Sequence, residues 1–382
     1  MAVGHMGPVG SILGHEGVGR IAAVGSYVQA LDPTVEIGQR VGVAWTRDIC
    51  GSCGFCTDLV HEGETRCEKA LHSGKAYDGT FAQYTLVPLR YLARIPEGFD
   101  EIPDEEIAPI LCSGVTAYKA VKGCHLTPGQ WIVISGAGGG VGSLAVAFAH
   151  AMGYRVIAID TGEDREANCK INGADHFIDI AKASPSVEVK KITGDKGAKA
   201  IVLAATSAAA YQQAFEMLGP FGTLMCISIL PEDAKVYFHP LWMIQKGWKI
   251  IGSSVGTRSD ILEALEFVKR RVVVPKVRQA ELTELEQLME AMSNGQVIHP
   301  NAFYDWISAK EVSVERKIRD KALGELYLLI TFISYKLSRS ITCPIKRLLG
   351  SVSRDDKSER HLAIMRVSSG FGLDPLLCRS MN

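Results

Sequence analysis

The chain has 382 residues, 47% hydrophobic and 22% charged, which are ordinary proportions for a soluble globular protein and leave room for two domains plus an appendage. Its formal net charge of −1 gives no electrostatic reason to expect nucleic acid or an anionic membrane surface as a partner. The opening MAVGHMGPVG has neither the basic region nor the apolar core of a signal peptide, and the longest apolar run, Leu326 to Ile333, is too short to span a bilayer, so the cytoplasm is expected.

In chain order, Gly14 to Gly25 (GHEGVGRIAAVG) and Gln39 to Thr46 read as strands broken by glycines, with Pro33 and Gly38 marking the turn between them. A small, irregular β domain begins here. His15 and Glu16 stand side by side between glycines. Imidazole and carboxylate are both zinc donors, although such a pair taken alone is more often ordinary surface. Four of the ten cysteines then follow in the pattern Cys50-x2-Cys53-x2-Cys56, with Cys67 beyond. Four thiolates close a tetrahedral zinc shell, and a closed shell is structural because no position stays open to water. Free thiols or disulfides are the alternatives. Gly79 to Pro88 alternates as a strand returning to the β domain.

Around Ala108 the composition turns helical, and Leu111-Cys112-Ser113-Gly114 leads into Thr116 to Val121. A cysteine in so apolar a setting is normally a small core residue, so Cys112 gains significance only if it faces His15. The strongest local pattern is Trp131 to Asp160. A short apolar strand enters the glycine turn Gly136 to Gly142, a helix follows with Leu144, Ala145, Phe148 and Met152 at helical spacing, and Gly153 ends it. A second strand, Arg155 to Ile159, ends on Asp160. This is a βαβ unit whose turn aims helix N–H groups at a pyrophosphate, and an acid at Asp160 accepts both ribose hydroxyls and repels a 2′-phosphate, favouring NAD. The alternation continues through strands at His176 to Ile180, Lys199 to Ala204, Thr223 to Ile229 and Trp248 to Gly252, with helices at Ala208 to Leu218 and Pro240 to Lys246. A doubly wound parallel sheet is expected. Helices Asp260 to Arg270 and Leu282 to Met292 are expected to pack back on the first domain, and 298–382 reads as an unpatterned tail.

Together GHEGVG at Gly14 to Gly19, the cysteine cluster, LCSGVTAYKA at Leu111 to Ala120 and SGAGGGVGSLAV at Ser135 to Val146 resemble the zinc-dependent medium-chain alcohol dehydrogenases, fungal (yeast-type) members most closely, over about Leu13 to Val297. The resemblance implies a GroES-like β-rich catalytic domain (1–120, completed by 256–297) and a Rossmann NAD-binding domain (121–255). It implies a catalytic zinc held by His15 and Cys112, with Glu16 able to approach it, and a structural zinc on Cys50, Cys53, Cys56 and Cys67. Gly136, Gly139, Gly140, Val141 and Gly142 match the pyrophosphate turn, Asp160 the ribose acid, and Arg165 the place of a lysine near the adenosine. Ile227, Ile229, Ser253 and Val255 align with residues lining the nicotinamide end, and Trp45 with an aromatic that narrows the alcohol pocket. A small primary alcohol or aldehyde and a homo-oligomer, a tetramer by family, are the implied partners.

Two departures stand out. The family's first zinc ligand lies in a CHTD-like motif before GHE, whereas residues 1–14 contain no cysteine, so a truncated start is expected in which Glu16 or His5 would have to complete the catalytic site. The chain also reads GQVIHPNAFYDW where the family has a GR pair. A catalytically impaired NAD- and zinc-binding fragment is therefore the competing expectation, and a zinc-independent reductase is a third that the cysteine cluster opposes.

Overall fold

The computed structural model describes residues 12–61, 63–294 and 327–331. Glycine-punctuated, valine-rich stretches build the first unit: β1 (Gly17–Val24), β2 (Arg40–Val43), β3 (Thr46–Asp48), β4 (Leu71–His72), β5 (Tyr84–Pro88) and β6 (Ala93–Arg94). A short helix, α1 (Val28–Leu31), fills the connection in which only a turn was expected, because Val28 is fully buried beneath β1 and β2 with Val35, Val41 and Val43. The strand expected from Gly79 begins only at Tyr84. The backbone bonds of residues 79–81 are spent instead on the segment before His15, with Gly79 N–H donating to Ile12 O and Phe81 N–H to Leu13 O. Gly14 sits at φ +94°, and a side chain there would meet Thr80 Oγ1 at 2.5 Å, so glycine is what lets the chain turn into His15.

After α2 (Asp104–Ile107) and α3 (Ser113–Lys122) the alternation expected from the sequence appears as β7 (Trp131–Ser135), α4 (Gly140–Ala151), β8 (Arg155–Asp160), α5 (Glu163–Ile171), β9 (His176–Asp179), α6 (Pro185–Ile192), β10 (Ala198–Leu203), α7 (Ala208–Met217), β11 (Leu218–Cys226), α8 (Pro240–Lys246) and β12 (Lys249–Gly252). The six strands are parallel in the order β9-β8-β7-β10-β11-β12, so the chain reverses direction across the sheet between β7 and β10. That is the doubly wound order, and its crevice lies at the carboxyl ends of those two strands. β11 starts five positions before the expected Thr223 and stops at Cys226. Its Gly219-Pro220 start looks like a turn in sequence, but the pairing with β10 shifts register between Ala198 and Ala200 to accommodate it.

Helix α9 (Arg258–Lys269) returns against α2 and α3, as expected, and α10 (Leu285–Ser293) follows. One core joins the two units: Ile110, Leu111 and Val115 from the α3 region pack in the same cluster as Ile132, Phe148, Ile261 and Leu265.

Of the expected tail at 298–382, all but residues 327–331 lies outside the described residues. Its residues Tyr327–Thr331 form β13, which pairs antiparallel with β1 and with β5 in the five-stranded sheet β5-β13-β1-β2-β6. The run is too short for a bilayer but long enough for a strand, and it fills the gap that would otherwise leave β1 and β5 with bare edges. Among the described residues no helix is long and apolar enough to cross a membrane.

Candidate functional site

Three groups of residues converge, and the first lies at the sheet crevice. Gly136 N–H and Ala137 N–H both donate to Ile159 O, at 2.9 and 3.1 Å, which ties the glycine turn to β8. A side chain on Gly142 would come within 2.0 Å of Gly136 O, so α4 can begin this close to β7 only with glycine there. Gly139 is the residue before the helix, and Gly140 and Val141 are in its first turn, where N–H groups lack intrahelical partners and suit an anion.

Asp160, 8% exposed, ends β8. Its Oδ2 accepts from Gly138 N–H (2.8 Å), and its Oδ1 accepts from Thr161 N–H (2.9 Å) and from the Arg165 guanidinium (2.6 Å). The Arg165 stem crosses Gly138 so closely that a side chain on that glycine would meet it at 2.7 Å. A carboxylate has about four acceptor positions, so a ribose diol that takes both oxygens must move or share with Arg165. Gly138 is thus a residue that the sequence reading missed, although it stands within the glycine run.

At the same end of the sheet, Ile227 N–H and Ser228 N–H donate to Leu203 O, and Ser253 N–H donates to Cys226 O at 3.0 Å. Ile229 points outward, 59% exposed. Val255 holds φ +41°, an outlier for a β-branched residue, and Ser253 Oγ is buried with no hydrogen-bond partner among the described residues. An orphaned hydroxyl beside the crevice fits a polar group arriving from outside the chain.

The second group is His15, Glu16 and Cys112, whose donor atoms all lie within 4.8 Å of one another. Cys112 thus faces His15, the condition on which its significance rested. Ser113, at the start of α3, orients the carboxylate: its N–H and its hydroxyl both donate to Glu16 Oε1, at 2.7 and 2.8 Å. Nothing in local sequence pairs these residues, which lie 97 positions apart. Burial pushes the Cys112 thiol well up, with the Glu16 charge adding to it, and lowers the His15 imidazole, which leaves that ring in its neutral, metal-binding form at neutral pH. A carboxylate beside a half-buried thiol and a neutral imidazole is a donor set that fits a divalent cation, and three protein ligands leave a position open. Trp45 forms the wall, edge-on to His15 with centroids 5.2 Å apart and stacked on His72 at 4.6 Å. His72, whose Nδ1 is buried and unpartnered among the described residues, was also missed by the sequence reading. His5 lies outside the described residues.

The third group is the cysteine lobe. Cys50, Cys53, Cys56 and Cys67 are free, which removes the disulfide alternative, and their sulfurs gather within 4.8 Å. The Cys50–Cys56 and Cys67–Cys50 sulfur separations are 3.9 and 3.7 Å. A tetrahedral shell with zinc–sulfur bonds of about 2.3 Å puts sulfurs about 3.8 Å apart, whereas a disulfide needs about 2.05 Å. Backbone N–H groups of Ser52 and Cys53 pull the Cys50 thiol down to about 6, while burial pushes Cys56 up to about 12. A cation is what would let all four ionise together.

Comparison with known proteins agrees with this geometry. Residues 140–270 match a family described as zinc-binding dehydrogenase, and residues 1–97 match the alcohol dehydrogenase GroES-like domain. The chain is 39% identical over 284 residues to an alcohol dehydrogenase of Schizosaccharomyces pombe, covering 74% of this chain and 78% of the relative. It is 36% identical over 287 residues to an alcohol dehydrogenase of Geobacillus stearothermophilus, covering 75% and 80%. Among solved structures, the fold is similar to the alcohol dehydrogenase of Thermus sp. ATN1, with a TM-score of 0.67 at 23% identity over 76% of this chain and 84% of that one.

Proposed function

The chain is an oxidoreductase of the zinc-dependent medium-chain alcohol dehydrogenase family, and on that footing we propose that it transfers hydride reversibly between a small primary alcohol or its aldehyde and NAD. The observation that carries the reading is the meeting of His15, Glu16 and Cys112 beside Trp45. A zinc ion held there supplies a Lewis acid that makes an alcohol more acidic, and a nicotinamide supplies the hydride acceptor. The chain's own residues do the rest. Ser113 fixes the Glu16 carboxylate, Trp45 limits the space beside His15 to a short substrate, and the glycine turn with Asp160 fixes the pyrophosphate and ribose so that Ser253 and Val255 meet the nicotinamide end.

The test is zinc per chain after exhaustive buffer exchange, together with ethanol oxidation by NAD. Two zincs with turnover support the proposal. One zinc without turnover leaves only the cysteine lobe loaded and favours the NAD- and zinc-binding protein without catalysis.

A homo-oligomer belongs to the same reading. β12 is an edge strand whose residues are all exposed, Ile250 and Ile251 among them, and the neighbouring α8 buries none of its residues, leaving Leu241, Trp242 and Ile244 to solvent. A bare apolar edge is a template for pairing with another strand. Ile250→Lys is expected to reduce the assembly to smaller species, read by light scattering during size exclusion. An unchanged mass would remove β12 from the interface.

A further inference from the structure

Ten residues separate Cys56 from Cys67, and the structure shows where the distal ones go. A tight turn at Gly63–Arg66, made possible because Gly63 packs against Phe55 O where a side chain would stand 2.2 Å away, carries Arg66 to the end of β12 in the cofactor unit and Glu64 to the start of α9. Arg66 donates to Gly252 O at 3.1 Å, at the end of β12. Glu64 Oε1 accepts from Arg258 N–H at 2.9 Å and from Tyr91 OH at 3.1 Å, and its other oxygen lies 3.4 Å from the Arg258 guanidinium. That guanidinium sits 4.8 Å over the Tyr91 ring and donates to Arg90 O at 2.8 Å.

These contacts are placed with a purpose that helix geometry explains. Arg258 is the first residue of α9, and its N–H is one that no helical carbonyl can satisfy. Thr257 and Asp260 form a capping box that serves two other donors, so Glu64 completes the cap from the cysteine lobe and puts a carboxylate where the helix dipole favours it. The two anchors, Gly252 O and Arg258 N–H, bracket the stretch that holds both the strained Val255 and the orphaned Ser253 hydroxyl. From the other side Gly256 lies against Val115 of α3, where an added side chain would come to 2.2 Å. A strained backbone persists only where its surroundings over-determine it.

We infer that Glu64 and Arg66 are positioning residues: the cysteine lobe clamps the Ser253–Val255 turn in its strained form and so governs affinity for the dinucleotide. The inference rests on the reading that this turn meets the cofactor. In Glu64→Ala, amides of 252–258 should exchange hydrogen faster than in the parent while those of β7 and β8 do not. NADH should bind about tenfold more weakly, which is about 1.4 kcal/mol. KM for NAD should rise with it and KM for the alcohol should stay, a split that general destabilisation would not produce. Glu64→Gln, which keeps an acceptor for Arg258 N–H and Tyr91 OH, should fall between, and serves with Arg66→Ala if the alanine variant does not fold. Unchanged exchange at 252–258 overturns the clamp, and so does faster exchange with NADH affinity intact. If the parent chain bound no NADH, the functional reading would fall, and the clamp would stand or fall on exchange alone.

Discussion

Replacing Asp160 with Ser is expected to weaken NAD binding about a hundredfold and to erase most of the discrimination against NADP, read as dissociation constants and as kcat/KM for the two cofactors. The size follows from the site. Two hydrogen bonds from ribose hydroxyls to a carboxylate are each worth about 1.5–3 kcal/mol, and a serine hydroxyl keeps at most one of them. The carboxylate also serves the free chain, because it accepts from Gly138 N–H and Thr161 N–H and so fixes the glycine turn that must receive the pyrophosphate. Serine is the chosen replacement because its oxygen can still accept from one of those amides. The change also alters the charge beside Arg165. Its guanidinium donates to that carboxylate at 2.6 Å, so the substitution removes a negative charge from beside the cation and with it the repulsion of a 2′-phosphate. NADP should therefore gain while NAD loses. An unchanged preference would take cofactor selection away from Asp160.

Much of this cofactor unit was legible in the chain because its signals are local. The apolar run Trp131 to Ile134, the glycine turn and the helical spacing from Leu144 to Phe148 lie in one continuous stretch, and β7, α4 and β8 appear close to where they were expected. The cysteine spacing was equally direct, since four thiols that close in sequence can meet without help from distant chain. Where partners are remote the signal fails. Leu326 to Ile333 reads as an apolar fragment in a tail, and only the vacancy between β1 and β5 makes Tyr327–Thr331 a strand. Ser113 bonding Glu16 and Gly138 bonding Asp160 are invisible for the same reason: each needs a backbone path that no periodicity describes. Cys112 was matched to His15 by resemblance, and the fold supplies the physical cause. The bonds of residues 79–81 to 12–14 set the approach of His15, and α3 brings Cys112 to meet it.

Replacing Cys53 with Ala is expected to lower the thermal midpoint by about 10 °C or more, at roughly 2–4 °C per kcal/mol for a unit of this size. The lobe explains why the effect is large. Its own apolar core is little more than Ile49, Cys67 and Tyr91, with Ala70 and the remaining cysteines at the margin, so few buried contacts remain once the shell is broken. Structural zinc in comparable small sites contributes apparent binding free energies of about 10–16 kcal/mol, and part of that is folding free energy here. Chelation sharpens the test. A strong chelator should bring the parent down toward the midpoint of Cys53→Ala and leave the variant where it is, whereas equal midpoints and an indifferent parent would mean that no metal braces the lobe. The loss should also spread beyond the lobe, because Glu64 and Arg66 hang from the chain between Cys56 and Cys67 and reach α9 and β12. Melting the lobe releases those anchors, so the variant should bind NADH more weakly even below its midpoint, at a distance from the residue changed.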